Sequence, residues 1–165
     1  GQQKNTTGVL GLVKRAVHEG VGELEKRVPG FSMKDFDAGE VEKILSDLPV
    51  GVRRAVVGGH LNRDITREGL SMFRRGRVDE KQLGDFLNRQ QEILRDDLNI
   101  STERIDSLIS AALGAGALGC KINGSGGGGC MVAYGAGAPG EVIEAVERAG
   151  GTARRVVIDK GIESI

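Results

Sequence analysis

GCKINGSGGGGCMVAY, Gly119 to Tyr134, is the stretch whose reading decides the fold. Five of the six residues from Gly124 to Gly129 are glycine, and Ser125 is the exception. Short apolar segments of strand character flank the run, Ala117 to Ile122 before it and Cys130 to Tyr134 after it. Each glycine costs backbone entropy on folding and fills no space. The run therefore implies a backbone at positive φ, or a ligand close enough to touch main-chain N–H groups. Successive N–H groups lining one concavity bind anions. Two readings follow: a phosphate-adjacent loop between two strands, or a flexible hairpin that holds nothing.

Two familiar glycine motifs fail here. Gly124, Gly126 and Gly129 satisfy G-x-G-x-x-G. The dinucleotide fold, however, needs a helix after the glycines, and Met131 to Tyr134 reads as a strand. The common phosphate-binding loop ends in Gly-Lys-Ser/Thr, whereas this one ends Gly129-Cys130-Met131.

Working outward, the preceding segments are helical. Val9, Val13, Val17, Val21, Leu24 and Val28 step by three and four, which predicts a helix over about 8–27, ended by Pro29-Gly30. Asp37 with Glu40 is a capping box ahead of Val41, Ile44, Leu45 and Leu48. A third helix is predicted from Gly51 to Arg75, with Gly58-Gly59 interrupting its stripe. Its arginines (Arg53, Arg54, Arg63, Arg67, Arg74, Arg75) read as a solvated face, and His60 as a helix-surface histidine. Asp79 with Gln82 opens a fourth helix, to about Asp97, and Asp96-Asp97 reads as surface charge. Ser101 is the expected cap of a fifth, whose stripe is Ile105, Leu108, Ile109, Ala112 and Leu113, stopped at Gly114. After the hairpin, Pro139 opens a sixth helix and Gly150-Gly151 closes it. Arg155 to Ile158 reads as a last strand. Helices first and about three short strands late give an α+β fold, with helices packed on one face of a small antiparallel sheet.

Bulk composition narrows the function classes. At 165 residues the chain is one domain or one lobe of something larger. Lys plus Arg (23) balances Asp plus Glu (23), which argues against nucleic acid as a partner. No apolar run approaches the roughly 20 residues of a membrane span. Cys120 and Cys130 lack a zinc ligand set and read as thiols of a reduced, cytoplasmic protein. Glycine is 27 of 165, far above the usual ~7%, with no repeat, so the demand is local. The first residues, GQQKNTT, carry no initiator Met and read as the edge of an excised piece.

The order of pieces resembles the C-terminal lobe of the GHMP kinases. The resemblance is carried by LRDDLNIST, ERIDSLISAAL and GAGALGCKINGSGGGGCMVAYG, Leu94 to Gly135, and by RRAVVGGHLNRDITREGLSMFRRG from Arg53. The latter and LRDD look most like the galactokinase branch. Departures are Asn123 where the family usually has Thr, Gln90-Gln91 where galactokinases carry Ser-His, and no Tyr in Gly11 to Arg15. The resemblance implies that residues 1–165 form a ferredoxin-like C-terminal lobe. It implies an ATP-dependent kinase acting on a sugar or related alcohol, with ATP and Mg²⁺ bound mainly by an N-terminal lobe not in these residues. No catalytic residue and no metal ligand is expected here. The implied substrate and nucleotide loop is Asn123, Gly124, Ser125, Gly126, Gly127, Gly128 and Gly129, with Lys121 as a phosphate contact. Partners would be a small-molecule substrate and the N-terminal lobe, with no nucleic acid and no membrane. Alternatives are a mevalonate or heptose-phosphate kinase lobe, a free-standing binding module, or an amino-acid-sensing ferredoxin-like domain.

Overall fold

The computed structural model describes residues 6–135 and 137–157. Six helices and one hairpin follow in order: α1 (Thr6–Arg27), α2 (Ala38–Ile44), α3 (Val50–Arg74), α4 (Glu80–Glu92), α5 (Glu103–Gly114), β1 (Gly119–Asn123), β2 (Cys130–Tyr134) and α6 (Pro139–Arg148). A five-residue π-turn, Ile93–Asp97, extends α4.

Local chemistry explains most of these bounds. Asp37 accepts from Glu40 N–H at 2.8 Å, and the Glu40 carboxylate accepts from Asp37 N–H at 2.9 Å, so the capping box is complete. Asp79 caps α4 by accepting from the N–H groups of Lys81 and Gln82. The cap of α5 is Thr102, whose Oγ1 accepts from Ile105 N–H, rather than Ser101. Ser101 is engaged elsewhere, as shown below. Pro139 occupies the first turn of α6, where its missing N–H costs nothing.

Gly58-Gly59 does not break α3. Gly58 is buried against Asp97 and Ile93 of the π-turn, so the helix runs on. His60 proves fully buried rather than a surface residue, with Nδ1 3.0 Å from Val56 O and no partner for Nε2. The arginines of α3 are only partly a solvated face. Arg63 donates to Met33 O and pairs with Asp64, and Arg53 donates to Ser46 O, tying α3 to the segments around α2.

Three apolar clusters hold the chain together. One lies among α1, α2 and α3, around Leu24, Val41, Leu45 and Val56. A second joins α3, α4 and the π-turn through Ile65, Met72, Phe86 and Ile93. The third seats α5 and α6 on one face of the hairpin, through Ile105, Ile109, Ala112, Cys120, Ile122, Val142 and Val146. The expected α5 stripe is thus the main cover of the sheet, with Leu113 at its exposed margin.

The sheet has two strands, antiparallel, with Gly119 opposite Tyr134 and Asn123 opposite Cys130. No third strand forms among the described residues. Arg155 to Val157 has no regular structure, with Val156 and Val157 79% and 84% exposed, and Ile158 lies outside the described residues. The outer edge of β1 is occupied by α4. Asn88 and Gln91, one helical turn apart, supply the hydrogen bonds a neighbouring strand would give. Gly84 and Gly119 let the two backbones touch: a Cβ on Gly84 would lie 2.6 Å from Leu118 O.

Candidate functional site: the glycine hairpin

Asn123 to Cys130 closes the hairpin. Gly124, Gly126, Gly127, Gly128 and Gly129 all sit at positive φ, between 65° and 114°. A residue with a Cβ takes this conformation only with strain, so the demand for glycine is conformational at every one of the five. At Gly126 it is also spatial, because a Cβ would press on the backbone carbonyl of Ile100 and lie 2.7 Å from its Cβ.

The loop is not a loose flap. Gly127 N–H donates to Ile100 O at 2.8 Å, and Gly126, Gly127 and Gly128 are buried. Ile100 is placed by the π-turn. Leu98 N–H reaches Ile93 O, Asn99 takes a left-handed φ of 50°, and Ile100 N–H returns to Leu94 O. The Gly127 N–H is therefore committed to the protein itself. The N–H groups of Gly126, Gly128 and Gly129 donate to nothing among the described residues. Asn123 is exposed beside them and Ser125 is half-buried.

Lys121 points to the face of β1 that alternates with Cys120 and Ile122, the face it shares with Asn123. Its Nζ donates to Ile122 O at 2.9 Å, and partial burial pushes its pKa below the usual lysine range. The ammonium is folded onto its own strand. Cys120 faces the helices, and burial pushes its thiol up to about 11. Cys130 is exposed; both cysteines are free thiols. Cys120 lies opposite Ala133 and Cys130 opposite Asn123, so the two thiols sit on opposite faces of the sheet and cannot pair within it.

In the π-turn, against α3, Asp97 is less exposed than its neighbour Asp96, which pairs with Arg95. Desolvation raises the Asp97 carboxyl pKa, with Arg54 pulling the other way from 4.0 Å. Among the described residues, no three His, Cys, Asp or Glu side chains come together as a metal site. No helix among them is long and apolar enough to cross a membrane. Two surface grooves are present, of about 430 Å³ between α5 and α6 and about 560 Å³ along α1, and neither borders the hairpin.

The overall fold is similar to that of a galactokinase. The crystal structure of Lactococcus lactis galactokinase complexed with galactose superposes on 90% of this chain with a TM-score of 0.78, at 20% identity, and 39% of that chain is covered. Residues 73–152 match the family model for the GHMP kinases C terminal. Mevalonate kinase of Pyrococcus abyssi is 42% identical over 80 residues, 46% of this chain and 24% of that protein. Mevalonate kinase of Thermococcus onnurineus is 48% identical over 71 residues, 43% and 21% of the two chains. Galactokinase of Mycobacterium bovis is 44% identical over 50 residues, 30% and 14%. The matched stretches thus span about a quarter or less of these relatives' own length.

The sequence singled out the hairpin glycines, and the structure gathers them on one turn with Asn123 and Ser125. It did not single out Asn88 or Ile100, and it named Gln91 only as a departure from the galactokinase pattern. On the helix itself, Asn88 and Gln91 are two polar side chains three apart, indistinguishable from a solvated face.

Proposed function

We propose that this chain is the C-terminal lobe of an ATP-dependent small-molecule kinase that transfers the ATP γ-phosphoryl group to a substrate hydroxyl. The observation that carries the reading is the hairpin itself. Gly126 and Gly128 are buried yet leave their N–H groups without an acceptor among the described residues. Buried, unpaired N–H groups cost free energy, and an anion's oxygens would relieve that cost. The same segment falls inside the kinase family match.

Phosphoryl transfer rests mostly on positioning and on stabilising charge. Mg²⁺–ATP, when bound, supplies the phosphoryl group. The N–H groups of Gly126, Gly128 and Gly129 fit phosphate or substrate oxygens, Asn123 and Ser125 fit an acceptor's hydroxyls, and Lys121 adds positive charge once it leaves Ile122 O. None of these is a general base, and among the described residues no three His, Cys, Asp or Glu side chains come together. The metal ligands and the base are assigned to an N-terminal lobe of the same protein, with this chain working in the cytoplasm as one wall of the cleft.

The acceptor is a small alcohol. Galactose-type and mevalonate-type acceptors are the two candidates, and the longer matches to mevalonate kinases favour the second as much as the fold favours the first. A coupled ADP-release assay on galactose, mevalonate and heptose 7-phosphate tests the reading. A protein containing this lobe joined to its N-terminal lobe should turn over one of them, and the 165-residue chain alone should turn over none. A joined protein that binds no nucleotide and turns over none of the three would leave a binding module instead.

A further inference from the structure

We infer that Gln91 is a positioning residue for the glycine hairpin, fixing both its base and its tip from the junction of α4 and α5. Gln91 is 3% exposed, in a helix whose other polar side chains mostly reach solvent. Its Oε1 accepts from Ile122 N–H at 2.9 Å, on the edge of β1 away from β2. Its Nε2 donates to Ser101 Oγ at 3.2 Å, and the Ser101 hydroxyl donates in turn to Asp106 at 2.6 Å. Ser101 follows Ile100, whose carbonyl takes Gly127 N–H.

One amide side chain therefore ties the strand leading into the loop to the residue beside the one that holds the loop's tip. Asn88, one turn earlier, does the first half of the task only. It accepts from Cys120 N–H at 2.9 Å and donates to Leu118 O at 3.0 Å. Asn88 fixes the strand, whereas Gln91 fixes the strand relative to Ile100. A shift of Ile100 against Ile122 would rotate the turn and redirect the N–H groups of Gly126, Gly128 and Gly129. The five glycines there carry no side chains of their own to lock the turn, so its orientation depends on backbone contacts such as Gly127 N–H to Ile100 O.

The test is amide hydrogen exchange, read by NMR on this 165-residue chain and three variants. Gln91→Met keeps the bulk and loses both bonds. Gln91→Glu keeps an acceptor for Ile122. Ser101→Ala cuts only the link to the tip. Gln91→Met should speed exchange at Ile122 and at Gly127 about tenfold each, the scale of one lost buried hydrogen bond or slightly more, while Ile109 and Ala112 in α5 stay within about twofold. Gln91→Glu should restore Ile122 protection, and Ser101→Ala should expose Gly127 and leave Ile122 protected. Faster exchange at Ile122 with Gly127 unchanged would overturn the inference, since Gln91 would then serve its strand alone. Equal acceleration at every amide would overturn it too. If Gln91→Met does not fold, the Gly127 result in Ser101→Ala decides.

A kinetic consequence rests on the kinase reading. In the joined two-lobe protein Gln91→Met should lower kcat about tenfold and leave the acceptor KM within about twofold, and Gln91→Glu, which keeps the Ile122 acceptor but lacks the donor to Ser101, should not restore kcat. The two claims fail separately. Coupled loop exchange in a protein without kinase activity retires the kinase reading alone. An active kinase whose loop exchange and kcat ignore Gln91 retires the positioning role alone.

Discussion

Gly84 of α4 and Gly119 of β1 meet backbone to backbone, so close that a Cβ on Gly84 would lie 2.6 Å from Leu118 O and 2.7 Å from its carbonyl carbon. This contact sets how near α4 stands to the sheet edge. Only at that distance can side chains as short as Asn88 and Gln91 reach the strand's N–H groups.

A methyl group at either glycine should therefore be costly. Gly84→Ala is expected to destabilise the chain by about 1–3 kcal/mol, the usual range for overpacking. Gly59 of α3 has nothing within 4 Å of its would-be Cβ. Gly59→Ala should stabilise by about 0.5–1 kcal/mol through helix propensity. Urea denaturation of both variants checks the pair, and a Gly84→Ala chain as stable as wild type would show that α4 can move away from β1.

Gly126→Ala carries two costs, a φ of 72° and a Cβ pressed on Ile100. The expected loss is about 1–3 kcal/mol. The damage should centre on the turn: Gly127 amide protection should vanish, while α5 and α6 keep theirs. A variant that melts like wild type and still protects Gly127 would mean the turn tolerates a side chain.

The two thiols should react very differently. Cys130 is exposed, whereas Cys120 is fully buried with its pKa raised to about 11. At pH 8 a thiol-specific disulfide reagent should titrate one thiol per native chain and two after denaturation. Two fast thiols in the native chain would contradict the burial of Cys120, and none before reductant would reveal a disulfide.

Asp97 should make stability depend on pH in an unusual direction. Burial raises its carboxyl pKa, so the native chain holds the proton more tightly than the unfolded chain does. Its contribution is present in full below the unfolded value of about 4 and is lost as pH rises through the higher folded value. Asp97→Asn should then be more stable than wild type at neutral pH, with the gain fading toward pH of about 3. Measured at both pH values, a loss of stability at neutral pH would show that attraction to Arg54 outweighs desolvation.

Much of the helical framework was legible in the sequence. Asp37 and Glu40 announce α2 because a capping box needs only neighbours three residues apart. The stripe Ile105, Ile109, Ala112 announces the buried side of α5 because a helix repeats on itself. The five glycines announce positive φ because the penalty on a Cβ is local to each residue. These are short-range properties, and the sequence by itself determined them.

The rest depends on what lies across space. Arg155 to Val157 has a β-branched pair like that of a strand, yet a strand exists only when paired, and these residues pair with no strand among the described residues. His60 and Gln91 look like any polar residue on a helix, and only the packing of α3 and α4 against their neighbours buries them. The direction in which the glycine turn presents its N–H groups is likewise a tertiary property. It is set by Ile100 and Gln91, 27 and 36 positions before Gly127 in the chain, through hydrogen bonds that form only after α4 has docked on β1.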